Sequence, residues 1–131
     1  MKFNKLIPEF SVSDFEQSKK FYVDVLGFIV KYERVENKFV FLELEGNQIM
    51  IEENNNNWNT GKLEYPYGRG INISMELDNI DEIYNNLKKN NYSLFEDLTI
   101  SEYRENKNVL KQKEFLILDP DGYLLRFNQN I

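Results

Sequence analysis

From Ile71 to Leu77 apolar and polar side chains alternate: Ile71, Ile73, Met75 and Leu77 share one face, and Asn72, Ser74 and Glu76 the other. A period of two marks a half-buried β-strand. The run 6–12 has the same period, with Leu6, Phe10 and Val12 opposite Ile7, Glu9 and Ser11. Further strand-like runs occur at 28–34, at 38–46, where Phe39, Phe41 and Glu43 oppose Val40, Leu42 and Leu44, and at 47–53 and 92–98. In two places the period lengthens to that of a helix. Phe15, Phe21, Tyr22, Val25 and Leu26 form one stripe, with Asp14 as N-cap and Gly27 as stop. Ile80, Ile83, Tyr84 and Leu87 form the other, with Asp78 or Asn79 as cap and Asn90 or Asn91 as stop. The stretch 99–113 reads as a polar excursion. Glu114 to Phe127 then reads as a hairpin around Asp119-Pro120-Asp121-Gly122.

The order is β-α-β-β-β, loop, β-α-β-β-β, and the span from Asp14 to Gly27 equals that from Asp78 to Asn91. An internal repeat of this kind redefines the fold. The expected architecture is α+β, with two βαβββ modules at 1–53 and 71–131 in one compact domain. Residues 54–70 form a linking loop rich in Asn, Gly and aromatics. The sheets are expected to curl as one mixed sheet around a shared cleft, helices outside.

One face of each predicted sheet is apolar, as packing on a helix requires; the second face is not. It carries Glu9, Ser11, Gln48, Glu52, Asn72, Ser74, Glu76, Arg126 and Asn128, with Phe39, Phe41, Met50 and Leu124 among them. Such a face is either wetted, as in many antiparallel sheets, or the lining of a concave site with a few polar groups and aromatic walls. Arg126 is the anomaly, a cation in the middle of an apolar strand.

Composition narrows the chemistry. A net charge of −6 over 131 residues, with a pI near 4.8, disfavours nucleic acid and anionic membranes and favours a cationic ligand. The chain has neither cysteine nor histidine. It therefore lacks a thiolate nucleophile, the commonest general base and the commonest transition-metal ligand. No run is apolar enough for a membrane span or a signal peptide, so the expected location is the cytoplasm.

The duplicated βαβββ order, the segment 13–28 with Phe21-Tyr22 and Leu26-Gly27, and the Asp119–Phe127 run together resemble the vicinal oxygen chelate superfamily. That group includes glyoxalase I, extradiol dioxygenases, thiol-transferring fosfomycin resistance enzymes and bleomycin resistance proteins. The resemblance spans essentially the whole chain. It implies the glyoxalase/bleomycin resistance fold. In metal-dependent members one ligand sits on each of four strands, and these positions correspond to Ile7, Glu52, Asn72 and Arg126. Only Glu52 has the expected chemistry, and Arg126 would repel a divalent ion. An oxygen-only magnesium site on Glu9, Glu52 and Glu76 is the alternative donor set.

The closing pattern, with Leu124-Leu125-Arg126 followed by Asn128 to Asn130, resembles most closely the bleomycin resistance proteins. These are small, acidic, metal-free homodimers that sequester a cationic glycopeptide in clefts at the subunit interface. Pro8 sits where that branch has a proline associated with exchange of the first strand between subunits. Leu110 departs from the pattern, replacing an aromatic of the drug-binding wall. The resemblance thus implies a non-enzymatic protein without cofactor that binds a small, cationic molecule. The expected apolar walls are Phe39, Phe41, Met50 and Trp58, although Phe39 and Phe41 also suit plain core packing and Trp58 could merely pin its loop. The expected polar partners are Glu43, Glu52, Asn72, Ser74, Glu76 and Arg126, joined by Glu9, with Arg126 pairing with Glu52. The alternative is a metal-dependent lyase or thiol transferase of the same superfamily.

Overall fold

The structure, a computed structural model, describes residues 1–131. It divides into two compact units, Met1–Tyr67 and Gly68–Ile131. The first contains β1 (Glu9–Val12), α1 (Phe15–Lys20), β2 (Ile29–Arg34), β3 (Phe39–Leu44) and β4 (Asn47–Glu53). The second contains β5 (Asn72–Glu76), α2 (Asp81–Lys89), β6 (Glu96–Glu105), β7 (Asn108–Leu118) and β8 (Leu124–Asn130). Each unit holds one four-stranded mixed sheet, in the order β1-β4-β3-β2 or β5-β8-β7-β6. The first and last strands of each module pair in parallel, and the remaining neighbours are antiparallel. Both units are βαβββ modules, in an α+β architecture. No helix is long and apolar enough to cross a membrane.

Local chemistry explains the helix ends. Asp14 accepts a hydrogen bond from the Gln17 backbone N–H at 3.1 Å and caps α1. The helix then widens into a π-turn over Phe21–Val25, with Leu26 N–H bonded to the Phe21 carbonyl. Gly27, at φ 88°, reverses the chain so that Phe28 N–H reaches the Tyr22 carbonyl. Asn91 has the equivalent role after α2. At φ 61° it lets Tyr92 N–H bond Leu87 and its own N–H bond Lys88, a Schellman closure. The start of α2 is held from two directions. The Asn79 side chain accepts from Asp81 N–H, and Gln129 of β8 accepts from Ile80 N–H.

Core packing follows the predicted stripes. Phe10, Val12, Ile49 and Ile51 of the first sheet are buried with Phe15, Phe21, Tyr22 and Leu26. In the second unit Met75, Phe115, Leu125 and Phe127 are buried with Ile80, Ile83 and Leu87. The Phe115 and Phe127 rings lie 5.5 Å apart, and Tyr84 of α2 meets Phe115 at 5.6 Å.

Three expectations are corrected. Leu6 and Ile7 lie before β1, because Pro8 has no N–H and joins the ladder only through its carbonyl, bonded to Met50 N–H. Ile71 precedes β5 and is exposed. The polar stretch 99–113 is mostly strand, in a long β6–β7 hairpin that turns at Asn106, φ 55°, and Lys107. Its residues are largely exposed, so no apolar alternation marks it.

At the β7–β8 turn Asp119, itself buried, accepts from the N–H groups of both Asp121 and Tyr123 at 2.9 Å. Gly122 supplies the positive φ of 91°.

Candidate functional site

Pairing register locates the two odd residues of the sequence. Glu52 stands opposite Ser11 in the first sheet, and Arg126 opposite Ser74 in the second, so the two occupy equivalent places in the repeat. By the same register the counterpart of Asn72 is Glu9, with Ile7 outside the strand.

In the first unit, Phe39 and Phe41 are each 1% exposed and thus fill the fold. Phe41 stacks on Tyr32 at 5.1 Å and is met edge-on by Phe3 at 5.4 Å. The Arg34 guanidinium lies 3.9 Å from the centre of the Phe39 ring. Neither phenylalanine presents a free wall. Glu43 accepts from Gln48, which also binds the backbone of Lys2 and Asn4. Met50 is half-buried beside Phe41 across the β3–β4 ladder.

The groove of this unit lies elsewhere, beside Trp58. It has a volume of about 580 Å³ and is lined by Glu9, Glu36, Glu52 and Glu53, by Arg34 and Lys38, and by Asn37, Asn54, Asn55, Asn57 and Trp58. The asparagine run builds this rim. Asn54 accepts from Asn56 N–H and from the Asn59 amide, Asn55 accepts from Asn57 N–H, and the Asn55 amide donates to Glu52 at 2.6 Å. Trp58, at φ 60°, is 87% exposed. It projects from its loop as an uncovered aromatic surface.

Charge is unevenly settled here. Lys38 donates to Glu53 at 2.9 Å, and Glu53 also accepts from Phe15 N–H at the start of α1. These bonds, the Lys38 one first, hold the Glu53 carboxyl below the ordinary range. Stability from Glu53 is therefore present above the unfolded carboxylate pKa and is lost as pH falls through the lowered folded value. Glu53→Gln should flatten this acid limb of a thermal melting profile, and an unchanged profile would count against the account. The Glu9 carboxyl is pushed up, first by desolvation and then by the nearby charge of Glu52, with Arg34 opposing. A cation placed beside Glu9 and Glu52 would favour the ionised carboxylates and so offset both effects.

In the second unit Asn72, Ser74, Glu76 and Arg126 lie on one side of the sheet, as the alternation predicts. Ser74 accepts from the Asn128 amide at 2.9 Å, and Glu76 from Asn130. Within the second unit the Arg126 guanidinium lies 3.9 Å from Glu114 of β7, and within the first Glu52 accepts from Asn55. Glu114 also accepts the Tyr103 hydroxyl hydrogen bond. Glu114 follows from hairpin register: the Asp119 turn sets Leu118 opposite Leu124 and Leu116 opposite Arg126, putting Glu114 on the same face. Arg34, Glu36, Lys38 and Glu53 were missed because a groove rim gathers strand ends and loops with no common period.

The residues present do not suit the divalent metal of the superfamily's enzymes. Ile7 has no donor atom, Arg126 brings positive charge, and no three Asp, Glu, His or Cys side chains gather into a group able to hold an ion. What the groove can do is recognise positive charge next to an aromatic surface.

Known proteins place this arrangement. The sequence pattern of the Glyoxalase/Bleomycin resistance protein/Dioxygenase superfamily matches residues 7–127. A solved superfamily member from Vibrio splendidus 12B01 is 36% identical over 94% of this chain and 95% of its own, with a TM-score of 0.45. A glyoxalase/bleomycin resistance protein/dioxygenase from Alicyclobacillus acidocaldarius is 19% identical over 98% of this chain and 92% of its own, with a TM-score of 0.68. A virulence protein from Salmonella typhimurium is 20% identical over the whole of both chains, with a TM-score of 0.69. No curated protein matches the chain. The last two structures share the fold, and the sequence pattern, matched over most of the chain, shows the family. The chain belongs to the glyoxalase/bleomycin resistance protein/dioxygenase superfamily, which includes both enzymes and non-enzymes.

Proposed function

We propose that this protein binds and sequesters a cationic, partly aromatic small molecule of the bleomycin glycopeptide type, without turnover. The observation that carries the reading is the groove of the first unit, where exposed Trp58 stands among four carboxylates. An indole surface stacks on planar rings, and the carboxylates answer a cation. The overall charge of −6 would speed the encounter. Loss of ligand chemistry at Ile7 and Arg126 favours binding over the metal-dependent lyase and thiol-transfer reactions of the superfamily. By the same resemblance the working form is a homodimer with its ligand clefts at the subunit interface. Sedimentation at micromolar concentration would read this directly.

Calorimetric titration with copper-loaded bleomycin tests the function. Saturable heat at micromolar concentrations is the expected result, and no heat would overturn the ligand assignment. Trp58→Ala should weaken binding about three- to tenfold, the range of an aromatic contact. Glu9→Gln should weaken it about two- to fivefold, as for a partly exposed ion pair. A cation binds the ionised Glu9, whose pKa is raised, so affinity should begin to fall above the ordinary carboxylate range as pH is lowered. In Glu9→Gln that early fall should be missing.

A further inference from the structure

In the second sheet Glu114 is the charged side chain most withdrawn from water, with 7% of it exposed. A buried carboxylate usually collects two or three hydrogen bonds, because desolvation otherwise costs more than a single contact returns. Here one oxygen, Oε1, accepts from the Tyr103 hydroxyl. The other, Oε2, is buried and has no hydrogen-bond partner. Its nearest counter-charge is Nη1 of Arg126 at 3.9 Å, beyond hydrogen-bond distance. Arg126 is no better served, since its Nε is buried without a partner while 31% of the side chain is exposed. Two complementary ions thus lie side by side and leave atoms of both unsatisfied.

The surroundings suit a polar guest. Asn128 is buried on the same face, donating to Ser74 and accepting from Gln112, so the nearby amides are already in use and bring no second charge. We infer that Glu114 is the anchor of a cation-binding site on β7 and β8, and that Arg126 is a displaceable occupant of it. The ligand class is an ammonium or guanidinium group able to donate an N–H to Oε2. On binding, Arg126 swings outward and its Nε regains water. The inference is separate from the groove reading, because every residue it uses belongs to the second unit.

Arg126 decides the test by the sign of its effect. The intact protein is titrated with agmatine, which carries both a guanidinium and an ammonium group. Binding is followed by calorimetry and by the Arg126 Nε–H signal in nitrogen–proton NMR spectra, assigned by its loss in Arg126→Gln. The signal should shift saturably in the unaltered protein. Arg126→Gln should bind agmatine about fivefold tighter, since a competing cation is gone. Glu114→Gln should abolish the saturable shift. Weaker or unchanged binding by Arg126→Gln overturns the proposal. So does undiminished binding by Glu114→Gln, which would mark diffuse attraction to an acidic protein. Should Glu114→Gln fail to fold by circular dichroism, Arg126→Gln still decides the matter, because it alters a side chain nearly a third exposed. Failure of copper-loaded bleomycin to bind would leave these outcomes untouched.

Discussion

Phe127→Ala should destabilise the second unit by about 3–5 kcal/mol, the usual cost of deleting a fully buried phenylalanine. Its ring is 0% exposed and packs at 5.5 Å on Phe115, which α2 covers through Tyr84. The neighbours belong to strands and a helix that cannot collapse into the vacated space, so the cavity term adds to the lost transfer energy. Urea unfolding followed by far-ultraviolet circular dichroism would show the drop in midpoint. Phe127→Leu, which keeps most of the volume, should lose markedly less. Equal losses in the two variants would mean that the site depends on ring geometry rather than filled volume.

Asp119→Ala should cost about 2–4 kcal/mol, because it removes the acceptor of two backbone N–H groups at once. Oδ1 receives Asp121 N–H and Tyr123 N–H in the turn that sets the register of β7 against β8. Asp121 is itself buried, so water would have to enter to replace the bond. Asp119→Asn keeps an oxygen at that position and should recover most of the loss. Thermal melting of the three proteins makes the comparison, and an Asn variant as weak as the Ala variant would show that the charge matters more than the acceptor. Register is at stake as well. Slippage by one residue would turn Arg126 onto the face now occupied by Leu125 and Phe127.

How far the sequence could be read depended on whether a feature was local. Ile71, Ile73 and Met75 alternate because backbone geometry puts neighbours on opposite sides, and only Ile71, beyond the strand end, escaped the pattern. Asp14 and Gly27 are legible for the same reason, since a cap or a left-handed stop concerns four or five consecutive residues. The polar hairpin tip of β6 and β7 was not legible, because strands with exposed faces need no apolar period. Phe39 and Phe41 were assigned to the correct face, yet Phe3, Tyr32 and Arg34 cover them there. Alternation tells which side a residue faces and not what lies over it.

By itself the sequence determined the two βαβββ modules, the Asp14 cap, the glycine and asparagine helix stops, the Asp119 turn and the side on which Arg126 lies. These depend on backbone periodicity and on short-range hydrogen bonds, which any folded context preserves. Only the tertiary structure decided that Arg126 faces Glu114 while Glu52 takes Asn55, that the groove forms beside Trp58, and that Gln129 closes the start of α2. The groove and the Gln129 contact join residues far apart in the chain, and for the two carboxylates pairing register and competition among several nearby partners choose the contact.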